Sequence, residues 1–245
     1  MSRHGMLKCL AAATAAMALS APAGAADLPQ APPFAAPATI WTGIHVGAEI
    51  GGAGAHEDGT TTFFGAPTAF STSPSGTVGG LAFGYDYQFS ANWLVGADLA
   101  LSWSSARASF NSITATAPAA FSAGMLTTNH NWYDIFTGRV GYVLGNWVLY
   151  GKGGVAWINA TYGLAFAQPL PGGSVTGTRA GYDLGLGAQW MFMPGWSTSI
   201  EYDYLGFGSH ADNFAGVGTT VDTQVQLIKV GLNYQLHPGG FFGWF

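Results

Sequence analysis

Charge is what this sequence has least of. Lys, Arg, Asp and Glu make up 8% of its 245 residues, against about 25% in ordinary soluble proteins. Only seven residues are Lys or Arg, which excludes the basic stripe by which a nucleic-acid-binding protein holds phosphates. Aromatics reach 14%, which excludes a disordered chain, since such chains are charged and poor in aromatics. Cysteine occurs once, at Cys9, so there is no disulfide framework and no Cys-based metal site. After residue 25 no apolar run approaches the ~20 residues of a transmembrane helix. A soluble surface is normally covered by charges, yet mean hydropathy here is +0.24. Something other than water solvates part of the folded chain. Without spanning helices, only a closed β-barrel satisfies every backbone N–H and C=O in lipid.

The N-terminus reads as an address. Arg3, His4 and Lys8 precede or flank an apolar stretch, Cys9–Leu19, which is followed by the small residues Ala23-Gly24-Ala25. This layout predicts a secretory signal peptide over residues 1–25, with a retained anchor as the alternative. Cleavage would remove the cysteine and two cations, taking the formal net charge from −5 to −7. Residues 26–40 carry four prolines and no periodicity, the composition of an extended linker.

From residue 41 to residue 236, period-two alternation recurs in segments of about ten residues. It predicts strands at Trp41–Gly51, Thr77–Phe89, Trp93–Ser104, Trp132–Leu144, Trp147–Asn159, Thr178–Met191, Trp196–Phe207 and Thr223–Leu236. Tight connections fall at residues 90–92, 145–146 and 192–195, and long Gly/Ser/Thr/Ala-rich ones at 52–76, 105–131, 160–177 and 208–222. The expected fold is all-β, an eight-stranded antiparallel up-and-down transmembrane β-barrel. Its long loops would be extracellular, its N-terminus periplasmic, and residues 237–245 a C-terminal tail.

Tryptophan spacing supports this architecture. Trp93 and Trp103, Trp132 and Tyr142, and Trp147 and Trp157 are each ten residues apart, so each pair shares one face. Ten residues at ~3.3 Å, tilted by ~40°, climb about 25 Å, the height of the apolar band between two aromatic girdles. Trp196 starts another strand in the same way. Leu99, Phe136, Val155 and Ile228 share the girdle face, whereas the charges His45, Glu49, Asp86, Asp98, Arg139, Lys152, Asp183, Glu201, Asp203 and Lys229 share the other. Asp134 alone puts a charge on the girdle face.

Asp98, Lys152, Glu201 and Lys229 each lie five residues from a girdle aromatic, which predicts one ionic layer with Arg139, Glu49 and His45 close by. Buried and unpaired, any of these would cost several kcal/mol, so an ion-pair network is expected. Such a layer is either a gate opened by exchange of partners or a plug; the small section of an eight-stranded barrel favours the plug. Other chemistry is thin. The six histidines do not fall at metal-ligand spacing, and His56, His130, His210 and Glu57-Asp58 read as solvated loop residues. Ser209-His210 is the one adjacent Ser/His couple, with no evident third member, so no catalysis, metal or cofactor is expected.

Several segments go beyond general barrel logic. Trp41–Ala48 (WTGIHVGA) resembles the WTGFYVGA-type opening of the alphaproteobacterial outer-membrane immunogenic proteins, opacity-like surface-antigen barrels. TGRVGY at 137–142, LYGKGGVA at 149–156 and IEYDY at 200–204 are similar to that family's RGRLGY, LLYGTGGVAY and LEYLY segments. The last strand, KVGLNYQL at 229–236, resembles its RVGLNYRF ending. That strand also fits the polar-x-Gly-x-x-aromatic-x-apolar signal of the barrel-assembly machinery, at Lys229, Gly231, Tyr234 and Leu236. Family chains often stop at this point, whereas here residues 237–245 follow.

The resemblance implies a structural or surface-antigen barrel in the outer membrane, with the lipid bilayer and the assembly machinery as partners. A small pore is one alternative. Another is an adhesin that meets host or phage through its loops, since residues 105–131 carry Phe110, Ile113, Phe121, Met125 and Leu126. Strands extending past the membrane would account for the same residues, and a soluble lipocalin-like binder also has eight strands.

Overall fold

Side chains alternate across a strand, so one face can meet lipid while the other meets the interior once the sheet closes on itself. The computed structural model describes residues 41–63, 66–113, 124–166, 173–214 and 217–236. The expected leader and tail, and the linker before Trp41, lie outside the described residues. The strands are β1 (Gly43–Phe63), β2 (Ala66–Thr72), β3 (Ser75–Gln88), β4 (Trp93–Ser104), β5 (Arg107–Ile113), β6 (Gly124–Leu144), β7 (Trp147–Phe166), β8 (Gly173–Met193), β9 (Trp196–Phe214) and β10 (Val217–Leu236).

Eight of them close an antiparallel ring in the order β1-β3-β4-β6-β7-β8-β9-β10. β10 returns to β1 through a register running from Ile44↔Leu236 to Thr62↔Gly218. β2 and β5 are not further ring members. β2 continues β3 along the flank of β1, and β5 continues β4 along the flank of β6. The chain breaks between β2 and β3 at Pro74, which has no N–H to give to a ladder but whose carbonyl accepts from the Ala55 N–H at 2.7 Å. Between β4 and β5, the Ala106 carbonyl accepts from the His130 N–H at 2.9 Å, so the wall stays bonded across the break.

The strands are longer than their alternation indicates. β1 runs to Phe63, β6 starts at Gly124, β7 runs to Phe166, and β8 starts at Gly173. Most of each segment read as a long loop is therefore barrel wall. Thr, Ala and Gly in these stretches look like loop composition, but Ala55, Ala160 and Val221 face inward and are buried. Pairing and burial override so weak a local preference. Phe110 and Leu126 also belong to this wall: Leu126 is buried, and Phe110 packs against the same interior cluster.

The opposite end is made of tight turns. Gly145-Asn146 joins β6 to β7 with Gly145 at φ +61°, and Pro194-Gly195 joins β8 to β9 with Gly195 at φ +78°. Both φ values lie where a Cβ is costly, and Pro followed by Gly fits the central pair of a type II turn. One boundary differs at this end too. β1 begins at Gly43, and Trp41, read as its first residue, is turned inward and fully buried. Its N–H donates to Gln88 Oε1 at 3.1 Å, its indole N–H to the Gly145 carbonyl at 3.4 Å, and its carbonyl accepts from the Gln235 amide.

Candidate functional site: the interior of the barrel

The outer face is apolar. Leu99, Phe136, Val155 and Ile228 all point outward and are exposed. Aromatics ring the turn end: Trp93 meets Tyr142 edge-on at 5.2 Å, Trp147 stacks on Trp190 at 5.8 Å, and Trp196 lies 5.0 Å from Tyr234. Toward the end opposite the tight turns, where the strands extend furthest (the hairpin end), Trp103 is paired with Trp132, and Trp157 lies opposite Asp134. Trp190 was missing from the girdle residues read in the sequence. The signal was there, since it shares the parity of Leu184 and Leu186 on its strand.

Inside, the wall carries three tiers. At the turn end Trp41, Leu94, Val143, Val148, Tyr150 and Met191 form an apolar stopper. Charges occupy the waist. Toward the hairpin end a larger apolar cluster follows, including Val78, Tyr133, Ile135, Ile158, Leu205 and Leu227.

The waist holds two ion-paired groups around one cavity, which His45, Glu49, Asp98, Arg139, Lys152 and Glu201 line together. In the first, Arg139 forks onto Asp86, its Nε donating to Oδ1 at 2.8 Å and its Nη2 to Oδ2, while the same Nε lies 3.3 Å from Asp98. His45 sits between the two carboxylates, 2.7 Å from Asp98 and 3.3 Å from Asp86. In the second, Lys152 reaches Glu201 at 2.7 Å and Asp203 at 2.8 Å, and Lys229 reaches both oxygens of Glu49 at 3.0 Å and Asp203 at 3.3 Å. Tyr150 joins the groups: its hydroxyl donates to Glu201 at 2.6 Å, and the Arg139 guanidinium lies 5.1 Å above its ring. Asp98 is thus ion-paired with Arg139 and His45.

Asp86 and Asp203, on the inward face, join the ionic waist as well, because residues two apart on one strand, such as Glu201 and Asp203, both point inward. Glycines make the room for these pairs. A Cβ at Gly84 would run into Asp98 and His45, one at Gly96 into Asp86, and one at Gly185 into Asp203 and Lys152. The cavity that remains at the waist is about 20 Å³, space for roughly one water molecule.

A further polar cluster lies on the hairpin side of Trp132 and Trp157. It corrects two readings, because Glu57 and His130 are fully buried, not solvated. Glu57 has the inward parity of Ala53 and Ala55. Its carboxylate accepts from His130 Nε2 at 3.0 Å, from Tyr162 at 3.1 Å and from Thr72 at 3.1 Å. His130 Nδ1 and the Tyr133 hydroxyl share a hydrogen bond at 2.8 Å, and Arg179 donates to Tyr162 at 3.1 Å. Burial works against the ionised form of Glu57. The interactions with His130 and the hydrogen bonds from Thr128 and Tyr162 outweigh it, so its carboxyl lies below the ordinary value. Asp58, next in sequence, points outward and is exposed beside His56. Ser209 and His210 are exposed, and as adjacent strand residues they point to opposite faces.

Lys229, Gly231, Tyr234 and Leu236 lie on β10, the strand that closes the ring. Lys229 and Gly231 point inward, and Tyr234 points outward.

Residues 11–235 match the family model described as "Outer membrane protein beta-barrel domain". The chain is 28% identical over 246 residues to the 31 kDa outer-membrane immunogenic protein of Brucella melitensis, covering 94% of this chain and all of that protein, and to its Brucella suis counterpart to the same extent. Similar solved structures include Ail of Yersinia pestis (17% identity, 79% of this chain and 99% of that one, TM-score 0.36). Another is OprG of Pseudomonas aeruginosa (14% identity, 80% and 98%, TM-score 0.42). With the closed ring, its apolar outer face and the family match over nearly its whole length, this chain belongs to the outer-membrane β-barrel proteins and resides in the outer membrane.

Proposed function

We propose that the protein is a structural barrel of the outer membrane that displays its hairpin ends at the cell surface and carries no water path. The filled interior carries this reading. A hydrated pore needs a continuous polar passage, whereas here an ionic waist with a cavity of about 20 Å³ is stacked between apolar clusters. Of the apolar residues that suggested a partner surface, Phe110 and Leu126 pack against the interior and Met125 is exposed, while Phe121 lies outside the described residues. The name of the Brucella relatives as immunogenic proteins fits surface display. A catalytic role finds no support at Ser209-His210, whose side chains diverge. β10, with Tyr234 on its outer face, is the strand offered to the barrel-assembly machinery.

Two measurements test the proposal. The purified protein in planar bilayers at neutral pH is expected to give negligible conductance; discrete, reproducible openings would overturn the closed interior. Asp58→Cys, on the exposed hairpin side, should react with a membrane-impermeant thiol reagent on intact cells, and Ala91→Cys, in a tight turn, should not. The reverse pattern would invert the orientation.

A further inference from the structure

The waist holds more acid than base. In the lysine group, Glu49, Glu201 and Asp203 each reach an ammonium group at 3.0 Å or less. Asp183 does not. It is fully buried, and neither of its carboxyl oxygens has a hydrogen-bond partner. It projects inward from β8, between Gly154 of β7 and Leu205 of β9. The charged groups acting on it are Asp203 and Glu201 from β9, Lys152 from β7 and Lys229 from β10. Both lysines are already engaged by the other carboxylates. In the second group, Asp86 and Asp98 take up Arg139 and His45. Even with His45 charged, six carboxyls face four bases at the waist of the described chain.

An ionised carboxyl that is dry and unpaired is among the least favourable states a protein interior can hold. Toward the hairpin end its surroundings turn apolar, at Ala156, Leu205 and Phe207. We propose that Asp183 binds one small monovalent cation, a proton or an alkali-metal ion, which neutralises the one carboxyl of the waist that no base reaches. Either ion does the same work at the carboxyl. A multivalent metal fits the geometry poorly, because among the described residues no three His, Cys, Asp or Glu side chains converge as such an ion requires. The site explains how a chain with so few bases can enclose so many acids. It rests on the closed interior proposed above, but it is read at the Asp183 carboxyl itself, so its failure in a non-conducting barrel is distinguishable from the failure of that reading.

The two ions are separated by experiment on the full-length protein refolded in lipid vesicles. A bound proton gives the carbonyl-stretch infrared band of a neutral carboxylic acid at neutral pH, and Asp183→Asn abolishes it. A bound alkali ion raises the midpoint of heat-modifiable gel migration in sodium chloride over N-methylglucamine chloride at equal ionic strength, and Asp183→Asn abolishes that difference. With the unpaired carboxyl removed, Asp183→Asn should unfold at or above the wild-type midpoint. Asp183→Leu is the second variant, should the amide misfold. The proposal is overturned if the wild type shows neither the acid band nor the cation difference, or if the signature it shows persists in both variants.

Discussion

Lys229 shows what a single residue does here. It is fully buried and touches Glu49 and Asp203, with Glu201 at 3.7 Å. Lys229→Met should therefore cost about 3–5 kcal/mol, because truncating one partner of a buried pair strands the other. Urea unfolding in lipid vesicles would measure it. Adding Glu49→Gln to that variant should recover part of the loss, since one stranded charge is then removed. Glu57 gives the pH-dependent counterpart. Its carboxyl is held below the ordinary value in the folded barrel, so the stability it contributes is complete above its unfolded value, about 4.3, and is lost as pH falls through the folded value. The unfolding midpoint should fall in that acid range and should fall less in Glu57→Gln. These residues were legible to different degrees. The inward parity of Lys229 was visible because its strand alternates cleanly. Glu57 looked solvated because the residues around it are Gly, Ala, His, Asp and Thr, which carry no alternation strong enough to show a buried face.

At the scale of the element, the strands continue past the tryptophan band toward the hairpin end, and what holds them there is the apolar cluster inside. Leu205 is fully buried in that cluster. Leu205→Ala should destabilise the barrel by about 2–5 kcal/mol, the range for a buried leucine whose site cannot collapse. Leu99→Ala on the outer face should cost much less, because lipid chains fill the space it leaves. Equilibrium unfolding of both variants in the same vesicles would check the contrast. Strand existence, direction and most turn-end boundaries were readable from Trp spacing and from the Gly-Asn and Pro-Gly turns; the start of β1 was not, because Trp41 turns inward. Nor were the hairpin-end boundaries. A barrel wall built of Thr, Ala and Gly has the composition of a loop, and only the partner strand and the inward neighbours make it a strand.

At the scale of the whole molecule, closure removes every strand edge within lipid and satisfies the backbone. The protein should therefore resist SDS until boiled, migrate differently on gels before and after heating, and fractionate with the outer membrane. An unheated sample running at the position of the boiled one would contradict a closed ring. A soluble lipocalin-like barrel would keep apolar side chains inside and charges outside; here Leu99 and Val155 are outward and Lys229 and Asp203 inward.

What the sequence determined by itself was the solvent of each face: with 8% charged residues, ionisable groups and tryptophans had to segregate, and period-two alternation assigns them to opposite sides. Tertiary structure alone decided which charges meet, because strand tilt and stagger set the height of each inward side chain. That is why Asp98 joins Arg139 and His45, Glu57 and His130 find each other from distant strands, and Asp183 is left without a base.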